Sequence, residues 1–87
     1  MYVITYARTT YKGTIDCGVL EIVGTKSGEE IAINNTIDDL RVEGYKIIEK
    51  KDNAILLSAT MSSGRVSYYM IRSEFFVTNN PYTSKYL

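Results

Sequence analysis

The stretch TKSGEEIAINNTIDDLRVEG, Thr25 to Gly44, decides the fold, because turn chemistry at its start gives way to helix chemistry further on. TKSG reads as a four-residue hairpin loop ending in Gly28, the residue that adopts left-handed backbone at least cost. That loop sets Ile22 against Ile31 and Leu20 against Ile33, so EEIAI becomes a third strand. NNTIDDLRVEG, 34–44, reads as a helix of about two turns. Thr36 with Asp39 resembles a capping box with Asp in place of Glu, Asp38 and Asp39 suit the positive end of the helix dipole, and Gly44 supplies the stop.

Upstream, YVITYARTT turns through Tyr11-Lys12-Gly13 into TIDCGVLEIVG. With Thr10 facing Thr14, the ladder sets Arg8 against Asp16, Tyr6 against Gly18, Ile4 against Leu20 and Tyr2 against Ile22. Downstream, YKIIEK turns at Lys51-Asp52-Asn53, which pairs Lys50 with Ala54 and Ile47 with Leu57. A last loop, SSGR, sets Met61 against Val66, Ala59 against Tyr68, Leu57 against Met70 and Ile55 against Arg72. The expected fold is α+β and mostly antiparallel: βββ–α–βββ, two three-stranded meanders, as a sheet or half-barrel, joined by one short helix. Residues 1–78 form the expected globular domain, and NNPYTSKYL, 79–87, the expected exposed tail.

Ten basic and ten acidic side chains give a formal net charge of zero, so no overall field draws the chain to nucleic acid or an anionic membrane. Cys17 is the only cysteine and cannot close an internal disulfide. The start MYVITYARTT lacks a basic stretch followed by an apolar core, and the longest purely apolar run is Ala54–Leu57. A cytoplasmic protein without a membrane role is expected.

Proton-transfer chemistry near neutral pH most often uses histidine, and the chain has none. Cys17 reads as a half-buried inert thiol beside Ala7. Asp38–Asp39 and Glu29–Glu30 are sequence neighbours explained by capping and strand alternation, and no spacing suits a metal or a phosphate loop. No catalytic residue, cofactor or metal site is expected, and the chain reads as a non-enzymatic protein.

Two functions remain. SSGRVSYYMIRSEFF, 62–76, sets Tyr68 and Tyr69 between Arg65 and Arg72, a pattern that single-stranded nucleic acid can stack on. Neighbouring strand residues point to opposite faces, so the two rings cannot share one platform. The registers put Tyr68 inward and Tyr69 outward, leaving Arg8, Lys12, Arg65 and Tyr69 as the candidate nucleic-acid contacts. The other function is protein binding. The outer face carries Val19, Val23, Ile48, Leu56, Tyr69 and Ile71, more apolar surface than water-facing strands need, and the tail adds Tyr82, Tyr86 and Leu87. The preferred expectation is a protein-interaction module that self-associates as a homodimer or binds another protein. Its candidate interface is Ile48, Leu56, Tyr69, Ile71, Tyr82 and Tyr86. Size and composition also suit an accessory or inhibitor protein of phage or mobile-element type. A small single-stranded nucleic-acid-binding protein is the alternative.

Overall fold

The computed structural model describes residues 1–77. The chain runs β1 (Tyr2–Thr9), β2 (Ile15–Val23), α1 (Lys26–Val42), β3 (Lys46–Lys50), β4 (Ala54–Thr60) and β5 (Val66–Phe75). One antiparallel sheet has the strand order β2-β1-β5-β4-β3. The α+β class with a mostly antiparallel sheet is therefore as expected, but the order is ββαβββ and the expected third strand is helix. The tail at 79–87 lies outside the described residues.

The helix takes over because Thr25 is a cap rather than a turn residue. Its backbone is extended (φ −126°, ψ 156°) and its side chain accepts from the Gly28 amide at 3.0 Å. Started there, the helix lines up Glu29, Ala32, Ile37 and Leu40 on one buried side, with Ile33 packed against them. A helix begun at 34 would bury only Ile37 and Leu40. The expected Thr36–Asp39 capping box falls mid-helix, where the Thr36 hydroxyl donates to the Ala32 carbonyl one turn back at 2.9 Å. Gly44 ends the helix as expected, at φ +97°. The amides of Gly44 and Tyr45 donate to the carbonyls of Arg41 and Leu40, a Schellman closure.

The first hairpin keeps its expected register from Arg8–Asp16 to Tyr6–Gly18. Beyond that a bulge at Leu20 shifts the ladder, so Ile4 faces Glu21 and Tyr2 faces Val23. In the β3–β4 hairpin Lys50 faces Ile55, one residue away from expectation, and a bulge at Ile48 restores the expected Ile47–Leu57 pair.

The β4–β5 register differs by one residue with larger consequences. The loop closes between Met61 and Arg65, with the Met61 amide donating to the Arg65 carbonyl at 2.7 Å and Gly64 at φ +85°. This is the same turn as the first hairpin, where Thr10 and Thr14 close on Gly13 at φ +80°. Leu57 therefore faces Tyr69 and Ile55 faces Ile71. A one-residue slip turns every side chain of a strand to the other face. Tyr69 and Ile71, expected outside, lie inside at 8% and 1% exposure, while Tyr68 and Met70 point away from the helix.

β1 pairs with β5, so both chain halves share one sheet. The pairing runs to its end, where the Met1 ammonium donates to the Phe76 carbonyl at 3.0 Å and the Phe76 amide donates back to Met1 at 2.8 Å. Ile4, Leu57 and Ile71 are the most deeply buried side chains, beneath Ala32, Ile37 and Leu40 of the helix. This register is tested by paired truncations in urea unfolding. Ile71→Ala should cost about 3 kcal/mol as a buried side chain, and its neighbour Met70→Ala about 1 kcal/mol or less. The expected outward-facing Ile71 would reverse that order.

Candidate functional site

Three features of the surface carry chemistry or contact area. The first is the sheet face opposite the helix. Strand alternation puts Val3, Thr5, Ala7 and Thr9 of β1 there, with Ile15, Cys17, Val19 and Ile22 of β2. β5 adds Val66, Tyr68, Met70 and Arg72, and β4 adds Leu56 and Ser58. No described element covers this face. Ile15, Val19 and Ile22 are 72%, 57% and 54% exposed, and Cys17, expected half-buried beside Ala7, does sit beside Ala7 but is exposed. A shallow hollow of about 140 Å³ at its centre is lined by Ala7, Ile15, Leu56, Tyr68 and Met70. The charges on the β5 part of this face pair with each other, Arg72 Nη2 lying 3.5 Å from Glu74 Oε1.

The second feature is the end of the sheet that carries the β1–β2 and β4–β5 turns. Tyr6 and Tyr69 stack at 5.7 Å between ring centroids, and Tyr45 meets Tyr69 edge-on at 6.1 Å. The Tyr6 hydroxyl donates to Asp16 Oδ2 at 3.2 Å, and Arg8 Nε donates to the same oxygen at 3.2 Å. Burial, and then the Asp16 carboxylate, push the Tyr6 hydroxyl above the ordinary tyrosine range; burial does the same for Tyr69. Arg65 Nη1 donates to the Tyr11 carbonyl, and Lys12 Nζ lies 5.7 Å from the Tyr11 ring centroid.

The third is a cavity of about 300 Å³ between the helix start and the β3–β4 turn, lined by Glu29, Asn34, Lys51, Asn53, Ile55 and Ser73 among others. Glu29 is buried there. It accepts from Lys26 Nζ at 2.7 Å and from the Ser73 hydroxyl. Burial alone would raise the Glu29 carboxyl, but the hydrogen bonds from Lys26 and Ser73 outweigh it and hold it below the ordinary value. Among the described residues no buried side-chain polar atom lacks a partner, and no three His, Cys, Asp or Glu side chains gather as a metal would require.

The expected sites separate on this framework. Leu56 lies on the open face and Ile48 sits exposed at the bulge of edge strand β3. Tyr69 and Ile71 are core residues, and Tyr82 and Tyr86 lie outside the described residues. Arg8, Lys12 and Arg65 do gather at the turn end, with Tyr69 beneath them as a buried floor rather than a stacking surface. The reading of the residues missed Ile15, Ile22, Tyr68 and Met70 on the open face and Tyr45 at the turn end. Glycine in the third loop position, shared by Gly13 and Gly64, was the signal that could have found Tyr68 and Met70.

No protein-family model matches the chain, and neither a curated protein nor a solved structure does. The fold and its surface define a class only: a small α+β protein with one described helix on one face of an antiparallel sheet.

Glu29 makes stability depend on acid in a stated direction. Its folded pKa is depressed, so its contribution is fully present above the unfolded value of 4.5 and is lost as pH falls through the folded value. Urea midpoints measured between about pH 6 and pH 2 should fall for the native chain, and Glu29→Gln should flatten part of that fall. Parallel curves would show that Glu29 is not held as described.

Proposed function

We propose that the chain is a non-enzymatic interaction module whose open sheet face docks on the same face of a second copy. The observation that carries this reading is the row Ile15, Val19 and Ile22, which stays more than half exposed beside Ala7, Tyr68 and Met70. Contiguous apolar surface of this kind costs free energy in water and is regained by burial.

Area and charge favour a second copy. A five-stranded sheet with strands ~4.8 Å apart and ~20–25 Å long offers roughly 500–600 Å² of face. Two copies bury about twice that, close to the ~1,200 Å² at which stable interfaces begin. An interface of this size sits at the low end, among weak and transient contacts, and a dimer at micromolar concentration is the expected behaviour. The chain carries no net charge, so copies do not repel, and the Arg72–Glu74 pair neutralises its part of the face. Stacked sheets lie ~10 Å apart with their inner side chains interdigitated, and the central hollow gives a partner's side chain a place to enter.

Sedimentation of the full chain at increasing concentration tests this. The native chain should move from monomer to dimer, and Val19→Lys should weaken the dimer at least ~10-fold by burying an unpaired charge. A native chain that stays monomeric at high micromolar concentration contradicts the proposal. So does a dimer indifferent to Val19→Lys.

A further inference from the structure

A net charge of zero conceals an uneven distribution. The antiparallel registers bring the β1–β2 turn, the β4–β5 turn, the helix C-terminus and the start of β3 to one end of the sheet. That end collects Arg8, Lys12, Arg41, Lys46 and Arg65, half of the basic side chains in the chain. Asp16, bonded to Arg8, and Glu43, which acts on Tyr69, are the carboxylates that stand against them.

Tyr45 stands in the middle of this end, and its position is fixed twice. Its amide completes the Schellman closure on Leu40, and its ring rests edge-on against Tyr69, which is stacked on Tyr6. The ring is half-buried and separates two hollows. One, of about 380 Å³, is lined by Arg8, Thr10, Tyr11, Arg65 and Ser67, and its wall contains no carboxylate. The other lies toward Arg41 and Lys46. Asp16 engages Arg8 through Nε, and the Tyr11 carbonyl engages Arg65 through Nη1. These bonds orient each guanidinium without using all of its donors.

We propose that this end binds a short stretch of single-stranded nucleic acid. One base stacks on Tyr45, one flanking phosphate meets Arg8 and Arg65, and the phosphate on the other side meets Arg41 and Lys46. A rigid aromatic platform with cations on both sides is what sequence-tolerant single-strand binding uses. Local charge acts here, because the walls of the two hollows carry Arg8, Arg65, Arg41 and Lys46 and no carboxylate, with Asp16 and Glu43 beside them, and a local surplus of one sign concentrates the opposite sign. The site adjoins the open face at Arg8 and Thr9, but Tyr45 packs on the helix side of the sheet, so binding there does not depend on self-association.

Anisotropy of fluorescein-labelled oligo(dT) and oligo(U), titrated with the full chain at low salt, tests the site. Binding should weaken as salt rises, with a log–log slope of about −0.7 for each phosphate contact. Tyr45→Ala should weaken it roughly 10-fold or more, and Tyr45→Phe should restore most of the loss. Arg41→Gln and Lys46→Gln change exposed side chains and should each weaken binding, and the double variant, which strips the phosphate they share of both cations, should make the slope shallower by about 0.7. Lys50→Gln and Lys51→Gln, at the opposite end, should bind as the native chain does. Val19→Lys should also bind as the native chain does, which separates this site from the dimer. The proposal is overturned if the native chain gives no anisotropy change at low salt. It is equally overturned if a duplex of the same length binds as tightly, or if Lys50→Gln weakens binding as much as Lys46→Gln.

Discussion

A sheet has two faces to keep from water, and the described residues supply a single helix to do it. Much of the molecule follows from that shortage. The helix leaves one edge strand, β2, and returns at the other, β3, so it crosses the sheet once and covers one side. Under it the side chains are fully buried, as Ile4, Leu57 and Ile71 are. On the far side Ile15, Val19 and Ile22 keep most of their surface. The asymmetry is one of packing, since apolar residues stand on both faces.

The pairing of β1 with β5 makes the sheet continuous. Without it the chain would be two separate hairpin systems, each too small to hold a helix. With it, the hydrogen bonds between Met1 and Phe76 close the sheet at one end, and the Tyr6–Tyr69 stack ties the same two strands together at the other. The helix is pinned at its start by Glu29 on Ser73 of β5 and at its end by the Schellman closure that positions Tyr45. Structural fixation and surface chemistry therefore meet in the same residues at the turn end.

Local turn chemistry was the legible part of the fold. The Gly13 turn sets Arg8 against Asp16, and the glycine stop at Gly44 ends the helix where the residues say it should. What misled was chemistry that serves two purposes. Thr25 and Gly28 suit a hairpin loop as well as a helix start, and only the five-residue stripe from Glu29 to Leu40 separates the two. The bulges at Leu20 and Ile48 carry no residue signature, so registers drift past them. In the β4–β5 loop a single residue of loop length exchanged Tyr68 for Tyr69 in the core. The candidate sites inherited that exchange: Arg8, Lys12 and Arg65 could be gathered from the turns alone, whereas the open face and Tyr45 required the correct register and the long helix.

Cys17 stands on the open face beside Val19 and is the only thiol in the chain, which makes it a direct reporter of whether that face is covered. The decisive measurement is the rate at which it reacts with a small disulfide reagent in native protein, compared with the urea-unfolded chain, over a range of protein concentrations. A helix that covers only the other face predicts reaction in dilute native protein at close to the unfolded rate, slowing as concentration rises and copies dock. A thiol that stays unreactive in dilute native protein until the chain unfolds would contradict the account.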